Sequence, residues 1–238
     1  MEPGEYLLMR SVEDRHWWYR SLRSLITPWL ADAPALLDAG CGTGGTLLGL
    51  GRGTGVDIST LALSLCRERG LGRVAAADVQ HLPFAEGAFD AVLVLDVLYH
   101  RRVTDDRRVL AECARVVKPG GVVLIHVPAF RFLAGEHDRA VHGVRRYTAS
   151  QLRDLVRRAG LGISLLTYRH LALLPAALLL RRGEGGRPRE MEPRSDLGRP
   201  NPLVNTLLLA LCELENRLVR WCPLPAGLSL FCAARRPG

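Results

Sequence analysis

Apolar residues along the chain fall into two rhythms. Short apolar runs at 35–39, 55–58, 74–77, 89–95, 122–127, 161–167 and 228–234 read as strands. Run 89–95, Phe-Asp-Ala-Val-Leu-Val-Leu, has too little polar alternation for a half-exposed strand and predicts a buried parallel one. Between the runs the spacing turns helical. In 104–117, Val109, Leu110, Cys113, Val116 and Val117 share one face, and Lys118-Pro119-Gly120-Gly121 stops the helix. Ser59 is an N-cap for a helix over 60–69 that Gly70 closes, and Thr148 and Gln151 have capping-box spacing for a helix that Gly160 ends. At the N-terminus, Trp17, Trp18, Tyr19, Leu22, Leu25, Ile26 and Trp29 predict a single covering helix over 12–30.

This alternation predicts an α/β, Rossmann-like fold: a seven-stranded, mostly parallel sheet with helices on both faces. The expected organisation is an N-terminal cap helix in 1–34, a core domain in 35–168 and 226–238, and a helical insertion in 169–225. Adjacent strands need only a short loop, so the insertion is an addition to the fold. Within it, 171–180 and 203–220 read as helices, and the Gly/Pro/Arg-rich stretch 181–202 as a mobile loop. The insertion either packs over the sheet edge, shapes a pocket for a greasy substrate, or makes peripheral contact with an anionic membrane.

Composition narrows the class. The chain has 238 residues, 48% hydrophobic and 24% charged, enough for one sizeable core. Its formal net charge of +8 fits a solvated basic surface or an acidic partner without choosing between them. Cys41, Cys66, Cys113, Cys212, Cys222 and Cys232 form no C-x-x-C pair, which points to a reducing, cytoplasmic setting and to no metal site. The first twenty residues carry no signal-peptide core, and Pro175 interrupts the longest apolar stretch.

The chemistry concentrates where the first strand enters a glycine-rich turn. Gly40, Gly42 and Gly44 permit positive φ and close approach of a ligand, with Cys41 between them. Asp57, at the next strand end, is placed for a ribose diol. Dinucleotide sites share this layout, but there a helix N-terminus faces a pyrophosphate. Here Asp38 sets a negative charge at the turn, which suits an ammonium or sulfonium ligand instead.

At these residues the sequence resembles the class I S-adenosylmethionine-dependent methyltransferases. Leu37-Asp38-Ala39-Gly40-Cys41-Gly42-Thr43-Gly44 resembles their first motif, and Gly55-Val56-Asp57-Ile58-Ser59 the second. The segment 78–84, strand 89–96 and segment 110–121 resemble the following three. Glu13-x-x-His16-Trp17-Trp18 resembles the entry helix of a bacterial small-molecule subgroup, distantly like ubiquinone-biosynthesis O-methyltransferases. The resemblance implies S-adenosylmethionine as cofactor, with Asp57 on the ribose, Ile58 and Val79 against the adenine, and Asp78 on its amino group. It also implies that Gly40 and Leu95 offer carbonyls to the methionine ammonium, that Trp18 belongs to the entry helix, and that Arg23 or Arg20 pairs with the methionine carboxylate.

On the acceptor side the candidates are His100, His142 and Tyr147. His100 follows the fourth strand at the carboxyl edge, where such sheets bind ligands. The family usually has Glu-His there, whereas this chain has Tyr99-His100. His142, Arg145, Arg146 and Tyr147 follow the fifth strand in a segment that also holds Glu136, His137 and Asp138, without a recognised metal-ligand spacing. The expected reaction is O-methylation of a small biosynthetic intermediate of quinone, polyketide or lipid-linked type. A cofactor-binding protein that catalyses a rearrangement, or acts as a scaffold, is the alternative. No nucleic-acid partner is expected, because Leu95-Asp96-Val97-Leu98 lacks the prolines of a base-flipping signature.

Overall fold

The computed structural model describes residues 1–184, 198 and 201–238. In chain order the elements are α1 (Pro3–Val12), α2 (Trp17–Ile26), β1 (Leu36–Ala39), α3 (Gly45–Leu50), β2 (Thr54–Asp57), α4 (Thr60–Glu68), β3 (Val74–Ala76) and β4 (Phe89–Leu95). They continue with α5 (Asp106–Val116), β5 (Val117–Pro128), α6 (Glu136–Ala140), α7 (Ala149–Arg158), β6 (Gly162–Arg169), α8 (Leu174–Glu184), α9 (Pro202–Leu218) and β7 (Ser229–Arg235).

The strands form one seven-stranded sheet in the order β3-β2-β1-β4-β5-β7-β6. The pairs from β3 to β5 are parallel, and β7 runs antiparallel to both β5 and β6. The direction of winding reverses between β1 and β4, so their carboxyl ends splay helices apart and open a crevice. Alternate residues of β4 feed two cores, as the two-residue period of a strand requires. Val92 and Val94 pack with Leu110, Cys113, Leu152 and Val156 of α5 and α7. Ala91 and Leu93 pack with Leu22, Leu25 and Ile26 of α2 and with Phe231 of β7. Both faces of the sheet are therefore covered, and the continuous apolar run of β4 follows from that.

The N-terminus departs from the single helix expected over 12–30. It holds two helices and a 3-10 turn, Thr27–Leu30, that contains Pro28. The chain breaks after Val12, and the His16 imidazole restarts it by accepting from the Trp18 N–H at 3.2 Å. A second difference lies at 118–121. These residues end α5 but also belong to β5, looping out between the Phe89–Val117 and Ala91–Val122 pairs.

The insertion contains both expected helices. α9 lies against α2, where Asn205 accepts from the Trp17 N–H at 2.9 Å and Asn216 donates to the Ser21 carbonyl at 2.8 Å. Glu215 accepts from the backbone of His170 and Ala172 at 2.7 and 3.2 Å, which ties α9 to the exit of β6. Most of the stretch 181–202, expected as a mobile loop, lies outside the described residues; its first four residues belong to α8 and its last two open α9.

Asp105 caps α5 by accepting from the N–H groups of Arg107 and Arg108 at 3.0 and 3.3 Å. Asp105→Ala is expected to cost about 1 kcal/mol. Thermal unfolding should show this as a Tm lower by about 3 °C.

Candidate active site

The turn after β1 is built by glycines that have no substitute. Gly40, Gly42 and Gly44 have φ of 90°, 53° and 83°. A Cβ on Gly40 would collide with the Val97 side chain, and one on Gly42 would lie 2.8 Å from the Met9 methyl. The Gly40 and Cys41 N–H groups both donate to the Val56 carbonyl, at 2.8 and 2.9 Å. Asp57 pins the turn from the side, accepting from Gly42 N–H at 2.9 Å and from Ser59 N–H at 2.8 Å.

Two carboxylates are thereby buried at the tips of β1 and β2. Burial raises the Asp57 carboxyl above its ordinary range, against the pull of its backbone donors. Asp38 is pushed up to about 7, by burial first and then by the charges of Asp57 and Glu13. No hydrogen bond to the Asp38 carboxylate is found among the described residues. Both face a cavity of about 700 Å³, whose wall also includes Gly40, Cys41, Gly42, Ile58, Asp78, Val79, Leu95 and Trp18. Gly44 stands off the wall as the N-cap of α3, packed on Leu71 and Cys66. Asp78, on the wall, accepts from the Gln80 N–H at 2.9 Å and with both oxygens from the Gln80 side-chain amide at 3.2 Å.

α1 and α2 close this end, and the Glu13-x-x-His16 spacing explains how. Glu13, 4% exposed, accepts from the Thr43 hydroxyl at 2.5 Å and pairs with Arg69, the C-cap of α4. Gly45 must be glycine because a Cβ there would occupy the space of the Glu13 carboxylate. The clamp holds Met9 over the glycine turn and brings Tyr6 and Met1 to the cavity wall. Arg23 does not reach the cavity, contrary to its expected role on a carboxylate. Its guanidinium donates to the Glu13 and Asp14 carbonyls at 3.1 and 3.2 Å and lies over Gly49, bracing the break between the helices. Arg20 is exposed and absent from the wall.

The other end is lined by Trp17, Trp18 and Tyr19 of α2, by Asp96, Tyr99 and His100 after β4, by Leu133, Val141 and Arg146 after β5, and by Ala176 and Ala177 of α8. The insertion therefore supplies part of the pocket wall. His100 lies on the wall, but burial first, then the Met1 amine and nearby cations, lower it to about 4. It is neutral at pH 7 and a weak base. Its Nε2 faces the Met1 amine at 2.8 Å, and the His142 Nδ1 faces the same amine at 3.0 Å. His142 also bonds Glu2 at 2.5 Å and stands off the cavity wall.

Tyr147 is not brought to the site. It is 4% exposed, and its hydroxyl bonds the Leu98 carbonyl at 3.1 Å and the Asp106 carboxylate at 3.0 Å. Its ring fills the core between β4 and α7, so its aromatic character serves packing. Arg145 likewise turns away, donating to the Val103 carbonyl at 2.7 Å. Arg146 stays on the wall in a two-pronged pair with Asp138, at 2.8 and 3.0 Å. Sequence reasoning gave no role to Asp96, whose carboxylate accepts from the His126 Nδ1 at 2.9 Å, nor to buried His126 itself. The sequence signal for either is position: Asp96 directly follows β4, whose last residue Leu95 pairs with His126 of β5.

Residues 37–125 match the family model described as a methyltransferase domain. A tRNA (carboxymethyluridine(34)-5-O)-methyltransferase of Arabidopsis thaliana is 40% identical over 102 residues, covering 41% of this chain and 25% of that protein. A demethylmenaquinone methyltransferase of Tropheryma whipplei is 31% identical over 129 residues, covering 50% of this chain and 51% of that one. The chain thus spans between a quarter and about half of the length of these two relatives. Among solved structures, a SAM-dependent methyltransferase of Thermotoga maritima superposes with a TM-score of 0.63 at 20% identity, over 98% of this chain and 95% of that one. With the glycine turn, the paired carboxylates and this sheet order, residues 37–125 are similar to the methyltransferase-domain family, and the chain has the fold of that S-adenosylmethionine-dependent methyltransferase.

Proposed function

We propose that the chain transfers a methyl group from S-adenosylmethionine to the hydroxyl of a small, largely apolar acceptor. One observation carries this reading: one cavity has, at one end, a buried carboxylate with no hydrogen-bond partner among the described residues and, at the other, an aromatic wall. The residues fit the donor. Burial, then the charges of Asp57 and Glu13, keep Asp38 protonated up to about pH 7, and a bound ammonium or sulfonium would supply the cation it lacks among the described residues. Asp57, fixed by its two backbone donors, would hold the ribose hydroxyls, and Asp78 the adenine amino group, with Ile58 and Val79 against the ring. Gly40 and Leu95 would turn carbonyls toward the ammonium. Bound in this way, S-adenosylmethionine supplies a methyl on a positively charged sulfur, already joined to a good leaving group. The protein's task is then to align an acceptor oxygen and to exclude water. Trp17, Trp18, Tyr19, Tyr99, Leu133 and Ala176 serve that task by walling the far end.

The small-acceptor reading is supported by how much of this wall is apolar and by the cover that α1, α2 and α8 provide. Methyl transfer to unfractionated tRNA and to an organic-solvent extract, each with methyl-labelled donor, separates the two acceptor classes. Label is expected in the extract, and label confined to tRNA would overturn the small-molecule assignment.

Two binding predictions concern the donor end. Asp57→Ala should weaken S-adenosylhomocysteine by about a hundredfold in calorimetry, the loss expected when two charge-assisted hydrogen bonds go. Retained wild-type affinity would contradict the ribose role. Asp38 has its folded-state pKa raised above the unfolded value, so its contribution to stability is present at low pH and is lost as pH rises through about 7. Asp38→Asn should therefore raise the Tm of the ligand-free protein at pH 8, by about 5 °C, with little change at pH 4. The same variant should remove the pH dependence of donor binding. In the wild type, affinity should fall by about tenfold per pH unit below 7, as a proton competes with the ligand's positive charge.

A further inference from the structure

Behind the aromatic wall lies a chain of buried polar groups that donor binding does not use. It starts at Arg169, the last residue of β6, which is 2% exposed. Burial lowers its guanidinium to about 10, so it remains a cation at neutral pH. It has no carboxylate within ion-pair distance among the described residues. It donates instead to the His126 Nε2 at 3.2 Å, to the Ser21 hydroxyl at 3.3 Å and to the Asn216 side-chain oxygen at 3.5 Å. Ser229 also meets the His126 Nε2, at 2.9 Å, and receives the His170 Nδ1 at 3.3 Å.

These contacts decide the tautomer of His126. A guanidinium only donates, so Nε2 must accept, and the proton of the neutral ring sits on Nδ1. That proton points at the Asp96 carboxylate, 2.9 Å away. The Asp96 backbone N–H returns a bond to the His126 carbonyl at 2.9 Å. Asp96 adopts a left-handed φ of 58°, a conformation that turns its side chain off the strand direction. Trp18 covers the network from the cavity side, stacked on His170 at 4.5 Å and edge-on to His126 at 5.7 Å. His126, Ser229 and His170 are sealed behind it, while the Asp96 side chain keeps 28% of its surface and lies on the cavity wall. The positive end of the network is thus buried, and its negative end is presented at the tip of β4, between Leu95 and Val97 of the same wall.

We infer that Asp96 is the catalytic residue of the acceptor end, a base that holds the attacking hydroxyl of an apolar alcohol or phenol through its free oxygen, with His126 and Arg169 as positioning residues behind it. The inference rests on the methyl-transfer reading above. The acceptor's O–H bond breaks toward Asp96, which takes the proton. The oxygen uses the freed electron pair to bond the methyl carbon, and the carbon–sulfur pair stays on sulfur, which becomes a neutral thioether. The proton then leaves Asp96 for water as the product departs. His126 keeps one carboxylate oxygen occupied, so the other is directed at the acceptor. The arrangement selects for a proton on the nucleophile: an ether or methyl group at the same place would leave the carboxylate without a donor.

The test uses the full chain saturated with S-adenosylhomocysteine and two probes of nearly equal shape, 2-naphthol and 2-methoxynaphthalene, the second without the hydroxyl proton. Calorimetry or quenching of the Trp17 and Trp18 fluorescence reads both affinities. The wild type should favour 2-naphthol by about tenfold or more, as for one charge-assisted hydrogen bond. Asp96→Asn keeps the shape and tolerates the left-handed backbone. It should lower the preference to about threefold or less, with S-adenosylhomocysteine affinity unchanged. His126→Gln should lower it in the same direction, and single-turnover methylation of 2-naphthol should fall by about a hundredfold or more in Asp96→Asn. A preference that survives Asp96→Asn, or a wild type that does not distinguish the probes or binds neither, overturns the assignment. S-adenosylhomocysteine binding by the wild type, measured in the same cell, stays positive in each of those cases, so a failure here is distinct from failure of the donor reading. If His126→Gln does not fold, the Asp96→Asn result decides.

Discussion

The chain keeps two carboxylates, Asp38 and Asp57, side by side at the tips of parallel strands, and Asp38 meets no compensating cation among the described residues. Buried charge without a partner is costly, and a fold retains it where a ligand completes it. Asp57 accepts the glycine turn's own N–H, so the turn that shapes the crevice is held by the same carboxylate that faces it. The sheet order makes this arrangement possible. β1 and β4 are neighbours whose connections leave in opposite directions, so nothing from the core fills the space above their ends.

The rest of the molecule closes that space. α1 and α2 lie over the mouth because Glu13 reaches down to Thr43 and Arg69. α9 braces α2 from behind through Asn205 and Asn216, and Glu215 ties it to the exit of β6. Through that tie the insertion positions α8, whose alanines complete the far wall. Cover, brace and wall are thus one mechanical chain, from the glycine turn to the far end of the cavity. The polar network behind Trp18 is woven into it: Ser21 belongs to α2, Asn216 to α9 and Arg169 to β6.

Much of this was legible in the sequence, for local reasons. Strands and helices follow from periodicity, and the glycine turn with Asp38 and Asp57 lies in two short, contiguous segments. What was hidden depends on groups that meet only after folding. Asp96 follows β4, His126 lies on β5 and Arg169 ends β6, and no spacing announces them. Tyr147 and Arg145 lie beside the site in sequence, yet the path between β5 and α7 turns them into the core and toward a loop carbonyl. The resemblance implied Arg23 or Arg20 on a carboxylate, and the break between α1 and α2 gives Arg23 two carbonyls to hold instead. The Glu13-to-Trp18 segment was recognised as a unit, but its role as a clamp on the glycine turn needed the view of Thr43 and Gly45 beneath it.

On the reading proposed above, the crevice above β1 and β2 recognises its nucleoside through positive charge placed at Asp38. The most direct test compares, at pH 8, the affinities of S-adenosylhomocysteine and of 5′-methylthioadenosine, which keeps the nucleoside and sulfur but lacks the ammonium. Loss of the ammonium should weaken binding by about a hundredfold. Equal affinities would mean that the buried carboxylate is not what the ligand completes, and would contradict it.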